Sequence, residues 1–280
     1  MIRFGPAGNA NSFYEAGYKS SLEVPQYLAS LGLNAYEYQC GRGVNVKKEF
    51  CQQLGEKAGE HEIFLSIHAP YFINLGTGDP TVMESSLRHI AKSLTAARDM
   101  GATRIVVHPG SVGKGSREEA MTRAKSLLAR VAEELLPSFS GISLCLETMG
   151  KLNQLGTVDE IISLCQVDRA YIPAVDFGHL HARGMGAITD LDEYEEILNR
   201  IDLGLGGGIV QVLHVHFSAI EFSRGGEVRH RTFAESEYGP DFQPLAAIIA
   251  RDSLTPVIIS ESAGFQNEDA LVMKEMVQRQ

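Results

Sequence analysis

Short apolar runs alternate along the chain with longer amphipathic stretches. The runs are rich in Val, Ile and Leu and are apolar on both faces, which is typical of strands buried in a parallel sheet. Loops and segments long enough for a helix separate them. This pattern predicts eight strands, at about Ile2–Gly5, Ala35–Gln39, Phe64–His68, Arg104–His108, Ile142–Glu147, Tyr171–Asp176, Ile209–Phe217 and Val257–Glu261.

Two of the intervening segments have a clear helical periodicity. In Val82–Met100 and in Ser116–Leu136, apolar residues recur at the spacing that places them on one face of a helix. This apolar stripe consists of Leu87, Ile90, Leu94 and Ala97 in the first segment and of Ala120, Ala124, Leu127, Leu128 and Val131 in the second.

Alternating strands and helices indicate parallel β-α-β units. Eight such units within 280 residues predict an α/β protein with the (β/α)8 TIM barrel fold, which typically needs about 250 residues. A doubly wound open sheet is the alternative. No low-complexity segment or long linker divides the sequence, so we interpret residues 1–280 as a single TIM-barrel domain.

The composition is that of a globular protein, with 44% hydrophobic and 21% charged residues, which excludes a disordered chain. The apolar runs are too short to span a membrane, and the first residues lack a secretory signal pattern. The four cysteines show no C-x-x-C spacing, so we expect reduced thiols and a cytoplasmic protein. The net charge of −10 argues against nucleic-acid binding by bulk charge but leaves room for a local basic groove.

Metal-binding side chains stand at the ends of six successive predicted strands. Because the carboxyl ends of parallel barrel strands converge on one face, where active sites are built, we expect these side chains to meet. In chain order they are His68, His108, Glu147, Asp176 followed by His179, His216 with His214 two residues before it, and Glu261.

A cluster of buried carboxylates and imidazoles needs nearby positive charge, such as a bound metal ion, because without it the carboxylates would be protonated. Imidazole and carboxylate ligands without cysteine suit Zn²⁺, with Mn²⁺ or Fe²⁺ as substitutes. His214 and His216 face the same side of a strand. His216 lies nearer the strand end and is the expected ligand, whereas His214 is expected deeper in the barrel.

The segments around these residues resemble the endonuclease IV family, the zinc-dependent apurinic/apyrimidinic endonucleases, within the xylose isomerase-like TIM barrels. The matching segments occur in the family's order from the third strand to the eighth. They are His68-Ala-Pro-Tyr-Phe-Ile-Asn-Leu75, Val107-His-Pro-Gly-Ser111, Leu146-Glu-Thr-Met-Gly150, Val175-Asp-Phe-Gly-His179, Leu213-His-Val-His216 and Ile259-Ser-Glu261.

The resemblance implies DNA cleavage at abasic sites by two or three zinc ions, with a zinc-bridged hydroxide as the nucleophile. Glu147 and Glu261 would then be the catalytic residues, the second by orienting or deprotonating the attacking water. The implied ligands are His68 and His108 for the first zinc, Glu147 as the bridge, Asp176, His216 and Glu261 for the second zinc, and His179 and His230 for the third.

The sequence departs from the family pattern at two places. Where family members have an Asp two residues before the third-zinc His, this chain has Val228, and Glu227 would reach the site only through a local bulge. The family's H-x-N-D after the seventh strand is here His216-Phe-Ser-Ala219. A divergent subgroup is therefore expected, and the third metal depends on Glu227.

Double-stranded DNA with abasic sites is the partner that the resemblance implies. Tyr71 and Phe72 would wedge into the duplex while the damaged nucleotide turns out, and Arg42 would insert at the gap or bind a phosphate. Further cations in loops on the same face would supply a basic groove, namely Lys114, Arg183, Arg224, Arg229 and Arg231.

A second function remains open, because fold alone does not define activity. Sugar and sugar-phosphate isomerases or epimerases on the same barrel also gather Glu, Asp and His around a divalent metal, and the partner would then be a small sugar. The histidines beyond those that one metal requires favour the nuclease, whereas the missing Asp and the acidic charge favour the isomerase. A monomer is expected in either case.

Overall fold

A computed structural model of the protein describes residues 1–280 and contains eight parallel strands in one sheet. These strands alternate with helices along the chain, as the sequence pattern predicts. They are β1 (Arg3–Pro6), β2 (Ala35–Gln39), β3 (Phe64–His68), β4 (Arg104–Val107), β5 (Ser143–Glu147), β6 (Tyr171–Asp176), β7 (His214–Phe217) and β10 (Val257–Ser260).

The sheet closes on itself. Its strand order is β1-β10-β7-β6-β5-β4-β3-β2, and a parallel bridge between Ala7 and Glu37 joins its two ends. The two end strands approach so closely that a Cβ on Gly5 would lie 1.8 Å from the Ala35 carbonyl oxygen. Glycine is therefore required at this contact. The fold is a (β/α)8 TIM barrel, which confirms the prediction.

Ten helices accompany the strands, and most of them pack on the outside of the barrel. They are α1 (Asn11–Glu15), α2 (Val24–Leu31), α3 (Lys48–Glu60), α4 (Pro80–Met100), α5 (Arg117–Glu134), α6 (Val158–Cys165), α7 (Phe177–Arg183), α8 (Leu191–Leu205), α9 (Gln243–Arg251) and α10 (Gln266–Gln278).

The two helices with the clearest periodicity form where the sequence predicts them. A capping box between Ser116 and Glu119 starts α5, and the Asp79 side chain caps the first turn of α4. Every residue of their two predicted apolar stripes is buried. The boundaries differ from the prediction by two residues or fewer.

The seventh strand is shorter than predicted. Residues Ile209–Val212 form a 3-10 helix, and the strand begins only at His214. Three glycines with positive φ turn the chain before this segment, and the Arg104 guanidinium binds the carbonyl oxygens of Val212 and Leu213. An apolar run this short does not distinguish a helical turn from a strand.

After β7 the chain forms a β-hairpin, which the strand pattern did not predict. Its antiparallel strands are β8 (Ala219–Ser223) and β9 (Gly226–Arg231). The signal for it was the Gly225-Gly226 pair between two strand-like segments. This hairpin carries His230 back over the carboxyl ends of the barrel strands.

Most of the hydrophobic core lies between the barrel and its helices, in one cluster of 60 buried residues. The barrel interior contains small residues instead, including Val106, Cys145 and Ala174. All four cysteines are free and buried. None of the helices combines the length and the apolar character needed to cross a membrane.

Candidate metal centre

The predicted metal ligands converge at the carboxyl ends of the barrel strands. Three of these strands, β3, β5 and β6, end at a buried His or carboxylate, and His216 is the last residue but one of β7. Alternate residues of a strand face the same side, so these last inward positions meet at the mouth of the barrel. The hairpin and α7 add two further histidines. Together, His68, His108, Glu147, Asp176, His179, His216, His230 and Glu261 form overlapping groups whose ligand atoms lie within 4.8 Å of one another.

Glu147 stands at the centre of these groups and faces two of them. Its Oε2 atom lies 2.9 Å from His108 Nε2 and 3.4 Å from His68 Nε2. Its Oε1 atom lies 3.1 Å from His216 Nδ1. A carboxylate whose two oxygens point at separate sets of imidazoles has the geometry of a bridging ligand.

The second group lies on the Oε1 side of Glu147. His216 Nδ1 is 3.5 Å from Glu261 Oε1, and Asp176 completes the set. Asp176, Glu147 and His216 are fully buried, whereas Glu261 is 13% exposed on the floor of the cleft. Two imidazoles on one side of the bridge and three further ligands on the other match the division that the resemblance implies.

The third group depends on a β-bulge in the hairpin. Glu221 pairs with Arg229 and Phe222 pairs with Glu227, so Val228 is left without a partner and its side chain is 47% exposed. Because the extra residue reverses the alternation of side chains, Glu227 points to the same side as His230.

Glu227 reaches the position that the sequence left in doubt. Its Oε2 atom lies 3.4 Å from His179 Nε2, and His230 Nε2 lies 3.6 Å from Glu261 Oε2. The rings of His179 and His230 are 5.2 Å apart. Glu227 therefore stands where an Asp at position 228 was expected, and Val228 itself takes no part in the site.

Several imidazoles are oriented by the nitrogen that faces away from the centre. His68 Nδ1 lies 2.8 Å from the Ala69 carbonyl oxygen, and His179 Nδ1 lies 3.0 Å from that of Thr148. His230 Nδ1 lies 2.8 Å from Ser218 Oγ. For His68 and His230, Nε2 then faces the carboxylates, which is the arrangement that metal-bound histidines adopt. His179 differs, because its Nδ1 atom also lies 3.3 Å from Asp176 Oδ2 and its Nε2 atom lies 3.4 Å from Glu227 Oε2.

The electrostatics of the carboxylates are strongly perturbed. Burial opposes ionisation of Glu147, but His108 and His216 outweigh it and hold its pKa well below the ordinary value. Burial raises the pKa of Asp176 and of Glu261. Perturbation of this kind is typical of functional sites.

Unpartnered polar atoms show that these residues fit a metal centre. His68 Nε2 and Asp176 Oδ2 are buried and form no hydrogen bond. Such atoms are costly unless something else satisfies them. Imidazole nitrogens and carboxylate oxygens are the donors that Zn²⁺, Mn²⁺ and Fe²⁺ accept, and the donor set does not choose among them.

We expect metal binding to release protons at pH 7. Burial alone would lower the pKa of His179 and of His216, but Asp176 and Glu261, respectively, outweigh it, and both values lie well above the ordinary one. Both rings are therefore protonated before a metal binds, and metal affinity should rise with pH. Calorimetry in buffers of different ionisation enthalpy measures the release, and a binding enthalpy independent of the buffer would contradict it.

An open cleft of about 830 Å³ lies above the metal centre. Arg42 and Tyr71 line it, as do Lys151 and Glu227. The Tyr71 ring lies 5.3 Å from that of His108, and its hydroxyl donates to Gln39 Oε1 at 3.1 Å. The structure thus brings Arg42 and Tyr71 to the mouth of the barrel.

Phe72 and several predicted basic residues are placed differently. The Phe72 ring packs against His89 of α4, at 4.6 Å, and does not line the cleft. Arg229 and Arg231 pair with Glu221 in the hairpin. Arg183 donates to the carbonyl oxygens of Met149, Lys151 and Gln154. These three arginines are engaged within the protein, which leaves a less basic groove than expected.

Glu37 is a site residue that the sequence reasoning missed. It lies on β2, is fully buried, and contacts both His214 and His216. Burial opposes its ionisation, but the two imidazoles hold the pKa of Glu37 well below its ordinary value. The signal was an acidic residue within the otherwise apolar strand Ala35–Gln39. His214 lies deeper than His216, as expected.

Fold and site together define a class, the TIM barrels with a cluster of His, Asp and Glu at the strand ends that could hold metal ions. Comparison with protein families agrees: the model of the xylose isomerase-like TIM barrels matches residues 25–276. The chain belongs to this family.

Curated relatives extend over nearly the whole chain. An uncharacterized protein of Methanocaldococcus jannaschii is 32% identical over 274 residues, which cover 98% of this chain and 96% of the relative. A probable endonuclease 4 of Listeria monocytogenes is 28% identical over 256 residues, 86% of this chain and 82% of the relative.

This chain shares its fold with solved structures of two kinds, an epimerase-like protein and an endonuclease IV. A D-tagatose 3-epimerase-like protein has a TM-score of 0.71 and 20% identity, and the match covers 91% of this chain and 90% of the other. Endonuclease IV from Thermus thermophilus has a TM-score of 0.65 and 21% identity, with 93% and 95% covered. At these identities the likeness shows the fold alone.

Proposed function

We propose that this protein is a metal-dependent phosphodiesterase that cleaves the DNA backbone at abasic sites, with zinc as the metal. The observation that carries the proposal is the number of ligand sets. Glu147 joins His68 and His108 to a second set around His216, and His179 and His230 form a third with Asp176 and Glu261, beside which Glu227 lies 3.4 Å from His179. A single-metal sugar enzyme has no use for the first and third sets.

Divalent metals bound at these sets would supply Lewis-acid charge for an attacking water and for the phosphate oxygens. The protein would hold them at fixed separations through Glu147 and Glu261. Glu261 is a partly exposed carboxylate of the centre. Its raised pKa and its position on the cleft floor suit it to orient the water and to accept a proton from it.

In the proposed reaction the open cleft above the metal centre receives an extruded sugar-phosphate. Turning out an abasic nucleotide is cheap, because no base pair has to be broken. Tyr71 is half exposed beside His68 and His108 and would fill the space that the nucleotide leaves. Arg42 is exposed at the same rim and would bind a phosphate.

A duplex oligonucleotide with one abasic site tests the proposal directly. We expect cleavage beside the lesion by the metal-loaded protein, no cleavage of the matched intact duplex, and loss of activity on chelation that added Zn²⁺ restores. Incision of neither duplex by protein that carries its metals would contradict the proposal.

Tyr71→Ala should weaken binding to the abasic duplex about tenfold, because aromatic contacts to nucleic acid are worth about 1–3 kcal/mol each. Phe72→Ala is the matched control, since this equally exposed neighbour packs on His89 and should change affinity less than about twofold. Fluorescence anisotropy at fixed salt measures both. Equal effects of the two variants would remove Tyr71 from the DNA contact.

Epimerisation of a small sugar is the second candidate. The set Glu147, Asp176, His216 and Glu261 is sufficient by itself for one metal, and the net charge of −10 does not favour DNA. Incubation with free and phosphorylated ketoses, followed by NMR, distinguishes the two functions. Epimer formation without DNA incision would favour this candidate.

The proposed nuclease would act in DNA repair as a cytoplasmic monomer. Four free, buried cysteines are compatible with a reducing compartment. Sedimentation of the purified protein with and without the abasic duplex measures the oligomeric state.

A further inference from the structure

A second polar layer lies in the barrel directly beneath the metal centre. Residues two positions before the inward-facing strand ends also face the interior, and on β2, β3 and β7 these are polar. The Ser66 hydroxyl donates to Glu37 Oε2 at 2.8 Å, and His214 Nε2 lies 3.0 Å from the same oxygen. All three side chains are fully buried.

Packing alone does not explain this layer. Barrel interiors are usually filled with apolar, mostly branched residues. Other strands of this barrel contribute apolar interior side chains such as Val106 and Ala174. A buried carboxylate is costly unless it is fully paired. Glu37 is paired on both oxygens, so the layer holds one negative charge at a defined place.

His216 connects the two layers. Its Nδ1 atom faces Glu147 and Glu261 in the metal centre, whereas its Nε2 atom lies 3.1 Å from Glu37 Oε1. Nε2 lies beside Glu37 without the geometry of a hydrogen bond. A proton on Nε2 that is shared with Glu37 would leave the Nδ1 lone pair free for a metal. Behind His68 and His230 the partner is neutral, the Ala69 carbonyl oxygen and the Ser218 hydroxyl, respectively. His179 Nδ1 faces the Thr148 carbonyl oxygen together with Asp176 and Glu147 of the metal centre itself.

We propose that Glu37 is a positioning residue that fixes the orientation and the tautomer of His216 for the second metal, and that Ser66 and His214 hold Glu37 in place. This inference rests on the proposed metal centre but not on the choice of DNA as substrate. A carboxylate behind a ligand imidazole also increases its basicity, so the second metal should bind more tightly than His216 alone would allow.

The test is a Co²⁺ titration of the chelator-stripped, full-length protein, followed by visible absorption and calorimetry. Glu37→Gln preserves the shape of the side chain but replaces one acceptor oxygen by a donor. We expect the affinity of one metal to fall about 10- to 100-fold while the metal at His68 and His108 binds as in the wild type. His214→Gln loosens Glu37 but also removes a ring that packs edge-on against His216, and it should cause a smaller fall of the same step.

Cys145→Ala is the matched control, because it changes the same interior layer without contacting Glu37. It should leave every metal affinity within about twofold even if it lowers the melting temperature of the metal-free protein. An equal loss in Cys145→Ala would show that Glu37 acts only through packing. Unchanged affinity in Glu37→Gln would overturn the positioning role.

Two further outcomes separate this inference from the proposed function. If His214→Gln lowered the number of bound metals by one, the lower layer would itself be a metal site, and the positioning role would be wrong. If the wild type bound no Co²⁺ or Zn²⁺ at all, the proposed metal centre would fail and this inference with it. A wild type that binds metals but does not cut DNA leaves the role of Glu37 intact.

Discussion

Glu147→Gln is expected to release the paired metals together and to reduce cleavage of the abasic duplex on the order of 10⁴-fold or more. The physical reason is that each Glu147 oxygen faces a different set of imidazoles, His68 with His108 on one side and His216 on the other. A glutamine has one acceptor oxygen and one NH₂ group, so at least one set loses its carboxylate and meets a donor instead.

Elemental analysis of dialysed protein and single-turnover cleavage measure the two effects together. Glu195→Gln makes the same chemical change in α8, where the side chain pairs with Arg251 and does not line the cleft. Its metal content should be unchanged, and its cleavage rate should stay within about twofold of that of the wild type. Full metal content and undiminished cleavage in Glu147→Gln would disprove the bridging role.

Glu227→Ala is expected to remove one metal, to leave the pair around Glu147 in place, and to reduce cleavage about 10²- to 10³-fold, as the loss of one group that stabilises transition-state charge does. Glu227 is the carboxylate that the bulge turns towards His179. Without it, His179 and His230 have only Asp176 and Glu261, which are shared with the second set.

The neighbouring residue provides the control for this prediction. Val228→Ala alters the bulge position itself, but its side chain is exposed and contacts no ligand, so metal content and rate should not change. A Glu227→Ala protein that retains every metal of the wild type would refute a third site built on Glu227.

The barrel was predictable because its signal is repeated eight times. Buried parallel strands are apolar on both faces, and small errors at single boundaries do not change the architecture. Ile209–Val212 was mistaken for strand because this apolar segment follows three glycines and its carbonyl oxygens bind a guanidinium from β4. Such a tertiary contact cannot be predicted from the local sequence.

The candidate ligands that lie at the ends of strands were predictable from the sequence. Those whose place in the site depends on the direction of a side chain within the hairpin were less predictable. His68, His108, Glu147, Asp176 and His216 follow directly from strand ends. The position of Glu227 depends on one extra residue in β9, and the sequence allowed the bulge without requiring it.

Two other residues show that side-chain direction cannot be predicted from sequence alone: Glu37 was left out of the site, and Phe72 was wrongly included in the cleft. Glu37 was overlooked because it lies in the middle of a strand, where an interior carboxylate is recognised only once its partners on β3 and β7 are known. Phe72 was grouped with Tyr71 because they are adjacent, yet only Tyr71 lies over the histidines. In a loop, neighbouring side chains point in unrelated directions.

Neither the fold nor the family separates a nuclease from an epimerase, since both kinds of enzyme share the barrel. The number of bound metals and the reaction on DNA separate them. The most direct measurement is therefore the metal-to-protein ratio of freshly purified protein, combined with an abasic-duplex cleavage assay on the same sample. The account predicts about two to three metals per chain and incision beside the lesion; one metal or none, with the duplex intact, would contradict it.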